Sequence, residues 1–172
     1  MTSPTQLRML SLNVGGLNGP IKRSAILSYL LSEKIQIALL QETLLVKRDI
    51  NRLANTFFKV IAFSSASNKS KGVAILAHRN LQFKQLGSWF DDKGRIVVFK
   101  LNIGRTNLAL ISLYAPNIFE KEFYDQITKT ILELSSFKLI VGADFNAVMD
   151  PAVDRSSVLL QRHSTAGLMR PE

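Results

Sequence analysis

Four short apolar runs, each closing on polar side chains, constrain this chain more than any bulk property. "LSLN" ends on Asn13, "IALLQE" on Gln41 and Glu42, "ISLYAPN" on Tyr114 and Asn117, and "LIVGADFN" on Asp144 and Asn146. Short unbroken apolar runs bounded by turn signals are how strands buried on both faces read. A carboxylate at the mouth of such a strand is costly to desolvate unless it is paired, hydrogen-bonded or bound to a metal. Only 13 residues of the chain are acidic, so where they fall carries information. In packed α/β sheets, ligands gather where strand ends meet loops. The four runs are therefore able to bring two carboxylates, amides and a phenol into one cleft.

The rest of the chain alternates elements in the same style. Leu7 to Asn13 reads as a strand, and "NGP" at Asn18 to Pro20 starts a helix with proline in the tolerated first turn and Ile26, Leu27, Leu30 and Leu31 on its apolar face. A buried strand at Ile35 to Leu40 and a short helix around Asp49 to Ala54 follow. Further strands are expected at Phe57 to Ser64, Gly72 to His78, Arg95 to Leu101 and Leu108 to Tyr114, several joined by short polar turns such as "NKSKG" and "NIGRTN". Phe119 to Ser135 has helical spacing, with Phe123, Ile127, Ile131 and Leu134 on one face, before the strand that begins at Lys138. The reading is a mixed α/β chain without repeats or low-complexity tracts.

Composition sets the class. With 172 residues, 47% of them hydrophobic, and a mean hydropathy of +0.12, the chain has material for one sizeable core. Lys and Arg number 22 against 13 acidic residues, a net charge of +9. The excess is local: Met1 to Leu86 holds 12 basic and 3 acidic residues, whereas Gly87 to Glu172 holds 10 of each. A polyanionic partner such as nucleic acid or an acidic membrane surface fits that imbalance. The absence of cysteine excludes disulfides, a thiol nucleophile and Cys-based zinc sites, and fits a reducing compartment. No apolar stretch approaches the ~20 residues that span a bilayer, so an intracellular protein, nuclear or cytoplasmic, is expected, with no membrane partner.

Oxygen donors without cysteine or clustered histidine are what a hard cation such as magnesium takes. Each residue also has a plainer reading. Asn13 serves equally as a turn residue before Gly15 and Gly16, Glu42 as a solvated helix start, Tyr114 as a core tyrosine, and Asp144 with Asn146 as a turn cap.

Five stretches carry a resemblance. "LSLNVGGLNGPIKR", "IALLQET", "SKGVAIL", "LISLYAPN" and "VGADFNAVMDPAVDRS" resemble, in order and spacing, the endonuclease/exonuclease/phosphatase superfamily that includes pancreatic deoxyribonuclease and the abasic-site endonucleases. Within it they are most similar to the endonucleases of LINE-type non-LTR retrotransposons. The likeness runs from Leu7 to about Ser157. It implies a deoxyribonuclease-like two-sheet α/β sandwich occupying 1–157, with 158–172 as an irregular or disordered tail.

The resemblance also implies roles. Asn13 and Glu42 look like the family's metal-ligand pair, for Mg2+ with Mn2+ as a substitute and no small-molecule cofactor. Tyr114 resembles the residue that contacts the scissile phosphate, Asp144 the one that orients the attacking water, and Asn146 its neighbour supporting the transition state. Lys22 and Arg23 in the "PIKR" turn, Lys69 and Lys71 before a strand, and Asn117 and Arg155 are the expected DNA contacts.

Departures shape the expectation. Ala143 stands where the family usually has the second glycine of Gly-Gly-Asp-Phe-Asn, a methyl that asks only for a backbone angle alanine adopts. Gly15 stands where abasic-site enzymes carry an acidic residue. The family's later Ser-Arg-Ile-Asp-like and Ser-Asp-His stretches have no match in "VLLQRHSTAGLMRPE", where His163 has no preceding Asp and reads as an ordinary histidine. A truncated copy is therefore expected, with the second sheet incomplete and an edge exposed. Its metal affinity should be weak and its nicking of DNA slight or absent. Beside the endonuclease reading stand a phosphatase or phosphodiesterase of the same superfamily and a non-catalytic fragment that binds nucleic acid by charge.

Overall fold

Strands buried on both faces have no polar alternation, and β-branched and leucine-rich runs of this kind supply the central strands. The computed structural model describes residues 6–146. In chain order these form β1 (Met9–Asn13), α1 (Pro20–Ser32), β2 (Ile37–Gln41), a 3-10 helix (Lys47–Leu53), β3 (Phe58–Ser64), β4 (Val73–His78), β5 (Lys84–Phe90), β6 (Ile96–Ile103), β7 (Thr106–Tyr114), α2 (Lys121–Glu133) and β8 (Lys138–Asp144). Two four-stranded sheets result, in the orders β1-β2-β4-β3 and β5-β6-β7-β8. In each, one parallel pair spans a crossover helix: β1 with β2 around α1, and β7 with β8 around α2.

Three apolar clusters define four layers. Leu27 and Leu30 of α1 pack with Ile50 and Leu53 of the 3-10 helix on Ala38, Leu40, Ala74 and Leu76 of the first sheet. The opposite faces of the same strands, through Ile37, Leu39, Val73 and Ile75, meet Val97, Phe99, Leu101 and Leu110 of the second sheet. Phe123 and Leu134 then cover Ile96, Val98, Ile111 and Leu113 on the outside. Central strands β2, β4, β6 and β7 thus bury both faces, which is why their sequences read as continuous apolar runs. The two-sheet α/β sandwich expected from the resemblance is what forms.

Two expectations about strands need correction. β5 was not anticipated: as an edge strand it keeps Lys84, Gln85, Ser88, Trp89 and Phe90 exposed, and a register shift falls between Gln85 and Gly87, so it has neither alternation nor an apolar run. β8 reads as fully buried but lies at the other edge of its sheet, where Val141 remains 44% exposed. The helix placed at Asp49 to Ala54 is a 3-10 segment starting two residues earlier. Pro20 occupies the first turn of α1 as expected, with Gly19 as its N-cap.

Where β8 crosses the first sheet the layers almost touch. A Cβ on Gly142 would lie 2.6 Å from Ser11 Oγ and 2.8 Å from Leu39 Cβ, so only glycine permits this approach. Ala143, the position that departs from the family pattern, faces the other way and packs against the α2 cluster, without a left-handed backbone angle.

Candidate active site

Strand direction brings the polar residues to one end of the sandwich. β1 and β2 run parallel and pair Asn13 with Gln41 at their C-terminal ends, while β7 and β8 do the same with Tyr114 and Asp144. The layers then join there. Asn13 Nδ2 donates to Glu42 Oε2 at 2.9 Å and to Asp144 Oδ2 at 2.5 Å, bridging carboxylates from the two sheets.

The loops are built to hold this. Gly15 and Gly16 take φ of +51° and +86°, turning the chain so that Gly16 N donates to Glu42 O at 2.7 Å and Leu17 N to Thr43 O at 2.8 Å. Glu42 itself sits at φ +57°, a conformation that costs a non-glycine residue of order 1–3 kcal/mol and persists only where surroundings impose it. Beneath the site, buried Gln41 donates to Ser112 Oγ at 3.0 Å and to Leu39 O at 3.1 Å, and Ser112 Oγ donates to Leu40 O at 3.2 Å, tying the sheets together. Sequence marks Gln41 only as polar; its partners become visible only when the sheets dock.

Asn13 and Asp144 each divide their side-chain atoms between the local backbone and one another. Asn13 Oδ1 accepts from Gly15 N at 2.8 Å, an Asx turn, while its nitrogen faces the carboxylates. Asp144 Oδ1 accepts from Asn146 N at 2.9 Å, while Oδ2 faces Asn13. Asn146, at φ +47°, donates from Nδ2 to Ala115 O at 2.6 Å and retains a second amide hydrogen. The Tyr114 ring packs against the inter-sheet cluster.

The basic residues divide. Lys22 Nζ donates to Gly15 O at 2.7 Å, which sets a cation on the rim of the Asn13 turn. Arg23 NH1 is committed to Leu17 O at 2.8 Å and Asn18 O at 3.0 Å, so it braces the same loop from inside. Lys69 and Lys71 lie between β3 and β4, at the end of the first sheet where Val73 pairs with Ser64 on one side and Gln41 on the other. Asn117 is exposed after β7. Arg155, His163 and the 157/158 boundary lie outside the described residues. His78 is at the opposite end of β4, with its ring edge-on to Phe58.

One ion pair near the site had no sequence signal. Arg95, whose backbone carbonyl accepts from Tyr114 N at 2.9 Å, donates from NH1 to Glu120 Oε2 at 2.6 Å. That hydrogen bond above all, opposed by some desolvation and helped by the charges of Arg95, Lys71 and Lys93, holds the Glu120 carboxyl below the usual glutamate range.

Among the described residues no three His, Cys, Asp or Glu side chains are grouped so that they could hold a metal ion. The oxygen donors that face each other are the carboxylates of Glu42 and Asp144, joined through the Asn13 NH2 group, whose own oxygen is held by Gly15 N. Mg2+ binds through one or two carboxylates and keeps several waters, so this set fits it.

A model described as the Endonuclease/Exonuclease/phosphatase family matches residues 10–168. Among solved structures, the chain is similar to the endonuclease domain of TRAS1, a telomere-specific non-LTR retrotransposon, at 20% identity and a TM-score of 0.60, covering 83% of this chain and 60% of that one. It is similar to D. rerio TDP2 complexed with single strand DNA product at 17% identity and a TM-score of 0.59, covering 81% and 60%. The Xenopus laevis APE2 catalytic domain is alike at 20% identity and a TM-score of 0.59, covering 83% and 59%. The chain thus spans about three fifths of the length of these structures, and at such identities the likeness is one of fold.

Proposed function

The chain belongs to the Endonuclease/Exonuclease/phosphatase family, and from that premise we propose that it is a divalent-metal-dependent DNA endonuclease domain of retrotransposon type. The observation that carries this reading is the Asn13 amide held between Glu42 and Asp144 at the junction of the two sheets. Two carboxylates converging on one donor, with oxygen ligands alone, are a site for a hard cation.

In this reading Glu42, and Asn13 once its amide turns Oδ1 rather than Nδ2 toward the carboxylates, would hold Mg2+ or Mn2+, which when bound would supply positive charge to a phosphate oxygen. Asp144, fixed by the Asn146 backbone through one oxygen, uses the other to orient a water for in-line attack and to accept its proton. Asn146 offers its second amide hydrogen, and Tyr114 its phenol, to the phosphate oxygens as charge develops. Lys22, Lys69 and Lys71 supply the cationic approach for the DNA backbone, exposed Asn117 offers a further contact, and Arg23 keeps the Asn13 loop in place.

Calorimetric titration with Mg2+ tests the shared site. Wild type should give a saturating heat that Glu42→Ala loses, and identical traces from the two proteins would sink it. In a plasmid-relaxation assay, nicking by the wild type that persists in Asp144→Ala would remove Asp144 from the chemistry.

A further inference from the structure

On the loop between β7 and α2 two adjacent large apolar side chains stand in solvent: Ile118 is 79% exposed and Phe119 73%. Part of this has a local reason. Glu120 is the N-cap of α2, so Phe119 precedes the cap and Tyr124 is the fourth helical residue, the two positions at which an apolar pair fixes how a chain enters a helix. Their rings stack, with centroids 5.1 Å apart and planes 13° from parallel, and Tyr124 in turn meets buried Phe123 edge-on at 5.3 Å. That contact covers one face of the Phe119 ring and leaves the other in solvent, held in one orientation by a stack rooted in the core.

The loop is tied directly to the proposed site. Ala115 N donates to Asp144 O at 2.8 Å, and Ala115 O accepts from Asn146 Nδ2 at 2.6 Å. Phe119 lies four residues further on, so at ~3.8 Å per residue it is at most about 15 Å from Ala115. A nucleic-acid strand advances ~3.4 Å per stacked nucleotide, which sets the ring within about four nucleotides of a phosphate at Asp144.

The charges around the ring are compatible with a polyanion. Of the acids in 117–125, Glu120 is paired with Arg95 and Asp125 with Lys121, which leaves Glu122 as the one unpaired carboxylate there among the described residues. Lys71 and Lys93 both act on the Glu120 carboxylate through space, and neither makes an ion pair among the described residues. A fixed aromatic face with cations beside it is how single-stranded nucleic acid is held, the bases stacking on the ring and the cations following the backbone. We propose that Phe119 is a stacking platform for one unpaired nucleobase of a strand whose phosphate lies at Asp144, with Lys71 and Lys93 on the flanking phosphates. The proposal deepens the nucleic-acid reading above and rests on it.

The test separates the platform from the helix contact. The whole chain, in EDTA so that no cutting intervenes, is titrated by anisotropy with a short dye-labelled single-stranded DNA and with an abasic oligomer of equal length. Phe119→Leu keeps an apolar contact on Tyr124 but removes the flat face. It should melt with the wild type, bind the abasic oligomer as wild type does, and bind the base-bearing strand about tenfold more weakly, within the range of base–aromatic stacking. Phe119→Trp should bind the base-bearing strand at least as tightly as wild type. An unchanged affinity in Phe119→Leu, an equal loss on both oligomers, or weaker binding of the base-bearing strand by Phe119→Trp would overturn the platform while leaving DNA binding intact. If the wild type binds neither oligomer, the nucleic-acid reading falls and the platform with it.

Discussion

Asn13 and Asp144 are separated by 131 positions and lie in different sheets, yet one side-chain hydrogen bond of 2.5 Å joins them. Because the same nitrogen also reaches Glu42, it screens two carboxylates from each other. Replacing it with a third carboxylate, Asn13→Asp, should lower metal-free stability by about 1 kcal/mol, the usual worth of such a bond. The added charge should also strengthen cation binding. Thermal melts in EDTA and in Mg2+ should show the variant below wild type in the first and gaining more than wild type in the second. Equal melting in EDTA would mean that the amide screens nothing.

Gly142 and Ala143 are neighbours with opposite tolerances. A Cβ at Gly142 collides with Ser11 and Leu39, so Gly142→Ala should cost about 1–3 kcal/mol by overpacking. Ala143→Gly, which restores the family's usual residue, should instead lose about 0.5–1 kcal/mol through backbone freedom and lost packing. Urea midpoints of the two variants check the order, and a reversed order would refute the crossing geometry.

Stability should depend on pH through Glu120. Arg95 depresses the folded carboxyl below its unfolded value near 4.5, so its contribution is present above that value and is lost as pH falls through the lower folded one. Glu120→Gln should therefore be less stable than wild type at pH 7, and the gap between their urea midpoints should close in strong acid. A gap independent of pH would show that the pair contributes by shape alone.

Affinity for DNA should fall with salt. For each phosphate contact removed, the slope of log affinity against log salt should flatten by ~0.9 on duplex DNA. Neutralising Lys22, Lys69 and Lys71 together should thus flatten it by up to ~2.7. Arg23→Ala is expected to act differently, by loosening the Leu17 and Asn18 carbonyls, and to show in stability before it shows in the slope.

Legibility in the sequence followed burial. β2, β4, β6 and β7 carry their signal in their own residues because both faces are covered. β5 does not, since Lys84, Ser88 and Phe90 face solvent and its pairing breaks near Gly87. Run-ending polar residues placed Asn13, Glu42, Tyr114, Asp144 and Asn146 at one end, because parallel strands joined by crossover helices must finish on the same side. The division of labour between atoms was hidden, as was the left-handed backbone of Glu42. Gln41 with Ser112, and Arg95 with Glu120, are pairings between segments that only docking brings together.

The two sheets are also consecutive in the chain: β1 to β4 make one and β5 to β8 the other, with Arg79 to Phe83 between them. Each half carries its own parallel pair and crossover helix, and each holds part of the site, Asn13 and Glu42 in one, Tyr114 and Asp144 in the other. A polypeptide cut in that connector would be two complementary fragments whose large apolar faces, Ile37 with Ile75 and Phe99 with Leu110, are buried only against each other. On the proposed cation site, reassembly of the cleaved pieces would be readable as cation uptake, since Glu42 and Asp144 fall in different fragments.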